Sequence, residues 1–437
     1  MNKEILRLAL PSILANVTVP LVGMVDMAIA GHIADASAMG GIAIGTMLFT
    51  LLYWNFGFLR VGTGGLTAQA FGRGDNADRA ALLVQSLTLA LGSALLLILT
   101  GWLIVEVALL CVPCTDEVAS FARSYYHIRI WAAPATLSLM ALKGWFIGSQ
   151  NTVGPMVMDV AVNLTNIVCS YALAVHTPLG PLGVAYGTVV AQWTGLAVAV
   201  FLLVAGYRRD ILQILQIREG LRWQRLRRMT HLGGHLMLRS LGFMVVYVGF
   251  TALTSAYGDV ALAVGAVMMQ LMMLFSYFVD GFAYAGEALV GRFIGAHDAL
   301  RTRQAVRLLM IWCLGVGLVF TVLYAVWGQG MVNLFTTDVA VRHDAAPLLL
   351  WLVAMPIVSC AAFMWDGIYI GATAGRQVRD CMLLAALGFV GSYLALYSFW
   401  GVHAVYAGYL AHLIVRTAYL WAKWPQTIVR VANRQNQ

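Results

Sequence analysis

Residues 144–150 read GWFIGSQ and residues 367–373 read GIYIGAT, 223 positions apart (367 − 144). Glycines open and centre both stretches, with large apolar residues between them. The same offset joins AQAFGRGD at 68–75 to VGRFIGAHD at 290–298, carrying Gly72 onto Gly295 and Asp75 onto Asp298. ADASAMGGIAIG at 34–45 echoes GDVALAVGAVM at 258–268, shifted by one residue more. One offset that links distant segments predicts a tandem repeat, each copy taking about half the chain.

Composition says what each copy is made of. Of 437 residues, 61% are hydrophobic and 11% charged, with a mean hydropathy of +0.81. Soluble domains carry roughly 25% charged residues, and a globule this size needs polar surface to cover it. Lipid removes that need. A spanning helix takes about 20 mostly apolar residues. Such runs fall at about 5–30, 40–70, 81–111, 119–147, 156–177 and 184–207. A second set falls at about 231–256, 260–290, 305–328, 346–371, 380–400 and 404–424. The predicted fold is an all-α integral membrane protein of twelve transmembrane helices in two six-helix repeats. Residues 1–207 form an N-terminal lobe, 208–230 a basic connector, and 231–437 a C-terminal lobe. The N-terminus runs on into a full-length span and shows no cleavable signal peptide. Six spans per copy give the halves one orientation, so they are parallel repeats suited to alternating access.

The net charge of +8 does not point to nucleic acid, because the basic residues lie between the apolar runs. Arg73, Arg79, seven arginines from Arg208 to Arg228, Arg292, Arg301, Arg303, Arg376, Arg379, Arg430 and Arg434 occupy alternate loops. The positive-inside rule makes those loops and both termini cytoplasmic. Apolar spacing at Ile211, Leu212, Leu215, Ile217 and Leu221 suits a connector helix lying at the membrane surface. Of the six cysteines, Cys169, Cys313, Cys360 and Cys381 lie in or beside apolar runs; Cys111 and Cys114 form a CxxC whose plainest reading is unpaired thiols. No Walker lysine loop, HExxH or GxSxG is present, and Gly62-Thr63-Gly64-Gly65 reads as a helix-contact glycine run.

VPLVGMVDMAIAGHI (19–33), FLRVGTGGLTAQAFG (58–72), DGFAYAGEALVG (280–291) and DGIYIGAT (366–373) resemble the multidrug and toxic compound extrusion (MATE) family, most of all its DinF branch. The resemblance runs from Leu8 to Arg379 and includes the Asn163–Asn166 pair. It implies a V-shaped, two-lobed fold with a central cavity, exporting organic compounds against inward H⁺ or Na⁺ flow. Many members carry NxxNxxxD in the fifth span; here Ser170 stands where that aspartate would be. The family's seventh-span acid, associated with Na⁺, has no counterpart in 231–256.

Ionisable residues inside a span are costly to insert and are functional candidates by default. Asp26 leads them. It follows the helix-weakening Pro20 by six residues and matches the family's first-span acid. A carboxylate in an apolar cavity changes protonation with its surroundings, and Asn163 and Asn166, on one helix face, are placed to hydrogen-bond it; a helix-packing role for the asparagines is the alternative. Glu287 and Arg60 come next, as a gate or as a structural ion pair; the offset maps Glu287 onto Gly64 and Arg60 onto Ala283. Asp280 lies seven residues before Glu287, and Asp366 stands where the first half has Lys143. Together in the C-lobe cavity the two acids could bind a cation; the alternative is that one of them neutralises Arg239 or Lys143. Tyr53, Trp54, Met268, Met272 and Tyr277 are candidate cavity residues, against a plainer reading as packing.

The expected function is cation-coupled export of organic compounds, lipophilic cations foremost, with H⁺ favoured over Na⁺. No cofactor is expected. Substrates and membrane lipid are the expected partners, with no nucleic acid; the protein is expected as a monomer in a bacterial inner membrane. A flippase for lipid-linked precursors is the near alternative, favoured by a cationic cavity. An integral-membrane enzyme using His127, His403 or His412 is the distant one. For topology, reporters fused after Arg228 and after Gln437 are expected in the cytoplasm, and one inserted near Asp338 outside. An external Arg228 reporter overturns the shared orientation of the halves.

Overall fold

The computed structural model describes residues 1–33, 36–112, 114–209, 211, 214 and 220–429; the side chains at 19–22, 24, 26–28, 30–33, 36 and 429 lie outside that description. The described residues are almost wholly helical. The first half comprises α1 (Asn2–Ile33), α2 (Ala36–Asn55), α3 (Phe58–Gly72), α4 (Asn76–Cys111), α5 (Asp116–Arg129), α6 (Ala133–Gly148), α7 (Val153–Val175) and α8 (Gly183–Tyr207). The second comprises α9 (Trp223–Ser255), α10 (Asp259–Gly295), α11 (Ala299–Phe335), α12 (Val339–Ala345), α13 (Leu349–Gly371), α14 (Gly375–Trp400) and α15 (His403–Trp424). Ten candidate membrane spans, each long and apolar enough to cross a bilayer, are found among the described residues. α1 and α15, of 32 and 22 residues, complete the twelve. Most of the connector, residues 212, 213 and 215–219 included, lies outside the described residues, and the seventh span begins at Trp223, inside the predicted connector.

Two spans of the first half are interrupted. The second breaks between α2 and α3, where Phe56 N–H donates to Tyr53 O (3.0 Å) and Gly57 N–H to Trp54 O (3.2 Å), tightening the turn to three-residue bonds. The fourth breaks at a 3₁₀ turn, Ile130–Ala132, between α5 and α6. Pro134 follows at the start of α6 and has no N–H to carry an α-helical ladder through the turn.

The halves repeat one another in backbone detail. A Cβ built on Gly144 of α6 would stand 2.1 Å from Arg60 O of α3, and one on Gly367 of α13 would stand 2.2 Å from Ala283 O of α10. One turn on, Gly148 approaches Gly64 O and Gly371 approaches Glu287 O, each at 2.5 Å. Every member of the first set maps onto the second by 223 residues. The turns obey the same offset: Gly74 and His297 have φ of 71° and 57°, and Gln150 and Thr373 have φ of 63° and 54°. Asp75 and Asp298 then cap α4 and α11, accepting from Asp78 N–H (2.8 Å) and Arg301 N–H (2.9 Å).

The chain packs as two units, Leu14–Thr230 and Met1–Ile13 with His231–Gln437. Each therefore includes the first turns of the other half's leading helix. In the C-terminal unit, Glu4 Oε1 meets Arg292 Nη1 at 3.3 Å, and Gly281 leaves room for Ile13. In the N-terminal unit, Arg225 Nη1 meets Asp78 Oδ1 at 3.0 Å.

Only glycine fits where a Cβ would strike a backbone carbonyl. Gly144→Ala and Gly367→Ala are each expected to destabilise by about 1–3 kcal/mol or more, read as lowered thermal stability in detergent. Gly92→Ala, with nothing within 4 Å of the added carbon, is the control and is expected to be neutral or stabilising. Equal effects at all three sites would remove the steric account.

Candidate functional site

In the N-terminal unit, polar side chains line the buried stripe of α7. Spacing of three and four residues puts Asn163, Asn166 and Ser170 on one side of that helix. Asn163 Nδ2 donates to Thr18 Oγ1 of α1 at 2.8 Å. Asn166 Nδ2 donates to Thr188 Oγ1 of α8 at 3.1 Å, and that hydroxyl donates onward to Val184 O at 3.0 Å. The α7 and α8 backbones come close because Gly183 and Gly187 carry no Cβ; one on Gly187 would meet Ser170 N at 2.5 Å. Asn166 and Ser170 are buried, and neither Asn166 Oδ1 nor Ser170 Oγ has a hydrogen-bond partner among the described residues. Such orphans inside a helix bundle mark a place where water, an ion or another side chain completes the set.

Asp26 belongs to α1, eight residues beyond Thr18 and three before Ile29. Ile29 packs on Ala174 of α7 and Val184 of α8. The Asp26 side chain lies outside the described residues, so only its place on the helix is given.

The C-terminal unit holds the other carboxylates. Glu287 is fully buried in α10, and its carbonyl faces Gly371. Asp280 is half-buried, within electrostatic reach of Tyr247 and Tyr277. Asp366 is committed: its Oδ2 accepts from Arg239 Nη2 at 2.8 Å and from Arg416 Nη2 at 2.5 Å. Both guanidinium groups also lie over the Phe243 ring, at 4.8 and 4.9 Å. Two cations around one anion leave a single positive charge in excess, with Arg416 only 1% exposed. At the equivalent place in the first half Lys143 bonds Asp159, so the signs are exchanged between the repeats.

The remaining candidates are spread out. Arg60 is half-buried on α3, just past the α2–α3 break. Tyr53 packs 5.5 Å from Phe49 and Trp54 is half-buried, both on α2. Met268 and Met272 are fully buried in the α10 core, whereas Tyr277 keeps part of its surface. The sequence candidates do not include Thr18, Thr188, Asp159, Arg129 and Arg416. Three of these were findable, because Arg129, Asp159 and Arg416 are ionisable residues inside predicted spans.

Twelve spans, an internal repeat and polar groups held inside the helix bundle are the build of a membrane transporter. The MatE family model matches residues 11–172 and 236–394, once in each half, and the chain belongs to that family. It is 35% identical over 427 residues to DNA damage-inducible protein F of Escherichia coli, covering 97% of this chain and 92% of that one. It is 26% identical to the probable multidrug resistance protein NorM of Xanthomonas axonopodis over 406 residues, 90% of this chain and 84% of that one. A solved MATE structure in the bent conformation superposes with a TM-score of 0.90 at 17% identity, covering 99% and 97% of the two chains. An outward-facing multidrug resistance MATE transporter gives 0.90 at 16% identity with the same coverage. The family's members are transporters and not enzymes.

Removing one partner from a buried ion cluster costs more than the cluster contributes, because a charge is left uncompensated. Asp366→Asn is expected to destabilise by about 3–5 kcal/mol. The exposed Arg123–Glu106 pair is expected to lose far less with Arg123→Ala, because solvent screens it. Thermal unfolding of both variants in the same detergent checks the order, and equal losses would deny the triad its buried character.

Proposed function

We propose that the protein is a proton-driven antiporter that exports organic compounds by alternating access, and that Asp26 carries the proton. The observation behind this reading is the hydrogen-bonded line Thr18–Asn163 and Asn166–Thr188, which ties the helix bearing Asp26 to α7 and α8. A carboxylate beside such amides gains or loses their hydrogen bonds when it titrates, and the helix that carries it repacks accordingly.

A proton needs one carboxylate. Na⁺ is a hard cation and needs several oxygen ligands together, as other hard cations do. The seventh span has no acid within 231–256, and Asp366 is bound by two arginines, which leaves Asp280 and Glu287 to assemble a Na⁺ site. This favours H⁺. Lipophilic cations are the substrates favoured, with Tyr277 and Asp280 as the aromatic and acidic groups that keep part of their surface. The excess positive charge at Asp366 gives some weight to the lipid-precursor flippase. The protein is proposed to work as a monomer in a bacterial inner membrane, with both termini in the cytoplasm.

Purified protein in proteoliposomes decides the coupling. An inward proton gradient without Na⁺ is expected to drive counter-transport of an organic dye, and Asp26→Asn to abolish it in a folded protein. Near wild-type transport by Asp26→Asn, or a wild-type requirement for Na⁺, overturns the assignment.

A further inference from the structure

Intramembrane cations of this protein mostly have carboxylates. Lys143 has Asp159, Arg239 and Arg416 share Asp366, and Arg123 has Glu106. Arg129 differs. It is the fourteenth residue of the 33-residue span Asp116–Gly148, at the end of α5, and no carboxylate oxygen among the described residues lies within 4.0 Å of it. Neutral groups hold it instead. Its Nη1 donates to Tyr125 Oη at 2.9 Å and to Thr46 Oγ1 of α2 at 3.3 Å, and these two oxygens stand 3.3 Å apart. Its guanidinium lies over the rings of Phe49 at 5.0 Å and Tyr125 at 5.6 Å. Hydroxyls and ring faces fix the orientation of a cation without cancelling its charge.

One side of the guanidinium remains unused. Nε–H is buried, and among the described residues neither it nor Nη2 has an acceptor. The Nε and Nη2 donors form the fork that matches two oxygens of a carboxylate or sulfonate. A buried donor left unmade is costly, so an anion that completes it gains more than it would in water.

The helix in front of Arg129 exposes a different kind of surface from that of α4. Ala43, Thr46, Met47 and Thr50 form the exposed face of α2, and Thr50 Oγ1 donates to Thr46 O at 2.8 Å. By contrast α4 exposes Leu95, Leu96, Leu99, Trp102 and Leu103. A face of threonines and one methionine suits a wetted cavity that takes a mixed ligand. Arg129 also stands six residues, about 9 Å along a helix, further into the span than the Arg123–Glu106 pair. A lipid headgroup phosphate sits at the bilayer surface and would have to leave it to reach that depth. The 3₁₀ break directly after Arg129 gives this place a hinge that an uninterrupted span lacks.

We infer that Arg129, held by Thr46 and Tyr125, is an anion-binding subsite for the carboxylate or sulfonate of an amphipathic organic compound whose apolar body lies along α2 at Met47 and Thr50. Calling that compound the exported substrate rests on the transporter reading above; the binding itself needs no ion gradient, so it can fail or succeed independently of proton coupling.

The test is equilibrium binding to the full chain in phosphatidylcholine nanodiscs, with two fluorescent probes of one ring system. Anilinonaphthalenesulfonate carries the anion and phenylnaphthylamine lacks it. Wild type is expected to hold the sulfonate about tenfold more tightly than the neutral probe. Arg129→Gln is expected to remove the difference, and Arg129→Lys, which keeps the charge but not the fork, to keep part of it. No preference in wild type, or a preference that survives Arg129→Gln in a folded protein, overturns the proposal. Should Arg129→Gln fail to fold, wild type and Arg129→Lys decide on the same criterion, with a preference undiminished in Arg129→Lys counting against the fork. Displacement of the sulfonate by phosphatidylglycerol added to the nanodiscs would assign the site to lipid phosphate and also overturn it; unchanged affinity supports the assignment.

Discussion

Backbone contact without a Cβ is the constraint on which the rest of this structure depends. Gly144 and Gly148 let α6 lie against the carbonyls of Arg60 and Gly64, and Gly367 and Gly371 do the same for α13 against Ala283 and Glu287. In lipid there is no hydrophobic drive to bring helices together, so close packing of small residues has to supply the attraction. It also fixes register. Once these carbonyls are seated, Arg60 and Glu287 have their depths set on α3 and α10 with no further freedom.

Around that shared frame the two halves have diverged in charge. Position for position, Lys143 of one repeat corresponds to Asp366 of the other, and each has recruited opposite charge from a neighbouring helix: Asp159 from α7, and Arg239 and Arg416 from α9 and α15. A packed glycine contact tolerates either sign because the charged group lies one residue to its N-terminal side, outside the contact. What differs is freedom. Asp366 is held between two guanidinium groups, and letting go of either breaks a buried ion pair. The amide and hydroxyl groups on α7 and α8 carry no formal charge, and a partner among them can change protonation without breaking an ion pair.

The repeat was legible in the sequence because the constraint is a residue type at a fixed spacing: glycine at 144 and 148, glycine again at 367 and 371. Caps and turns were legible for the same reason, as Asp75 and Asp298 show. The mid-span breaks were not. Hydropathy runs unbroken through Phe56–Gly57 and through Ile130–Ala132, and the hint in Pro134 is ambiguous because proline is tolerated in membrane helices. The candidate acids could be named from the sequence, and so could Arg239 as a partner for Asp366, but the other partners could not. Asp366 meets Arg416 across 50 residues and Asn163 meets Thr18 across 145, and nothing local to either residue announces the other. Basic residues inside spans carried the same kind of signal as the acids, and Arg129 shows what is lost by following one sign only.

α1 is where these threads meet. Its first thirteen residues pack in the C-terminal unit, with Glu4 on Arg292 and Ile13 in the space left by Gly281, while Thr18 onward packs with α7 and α8. α1 is thus tied at one end by an ion pair and a glycine notch, and further along, among the described residues, by the neutral Thr18–Asn163 hydrogen bond and by Ile29 packed on Ala174 and Val184. Pro20 lies just past Thr18 and removes a backbone donor from that same turn. Displacing the Thr18 attachment exchanges a neutral hydrogen bond of about 1 kcal/mol, whereas displacing Asp366 strips a buried charge of both its partners.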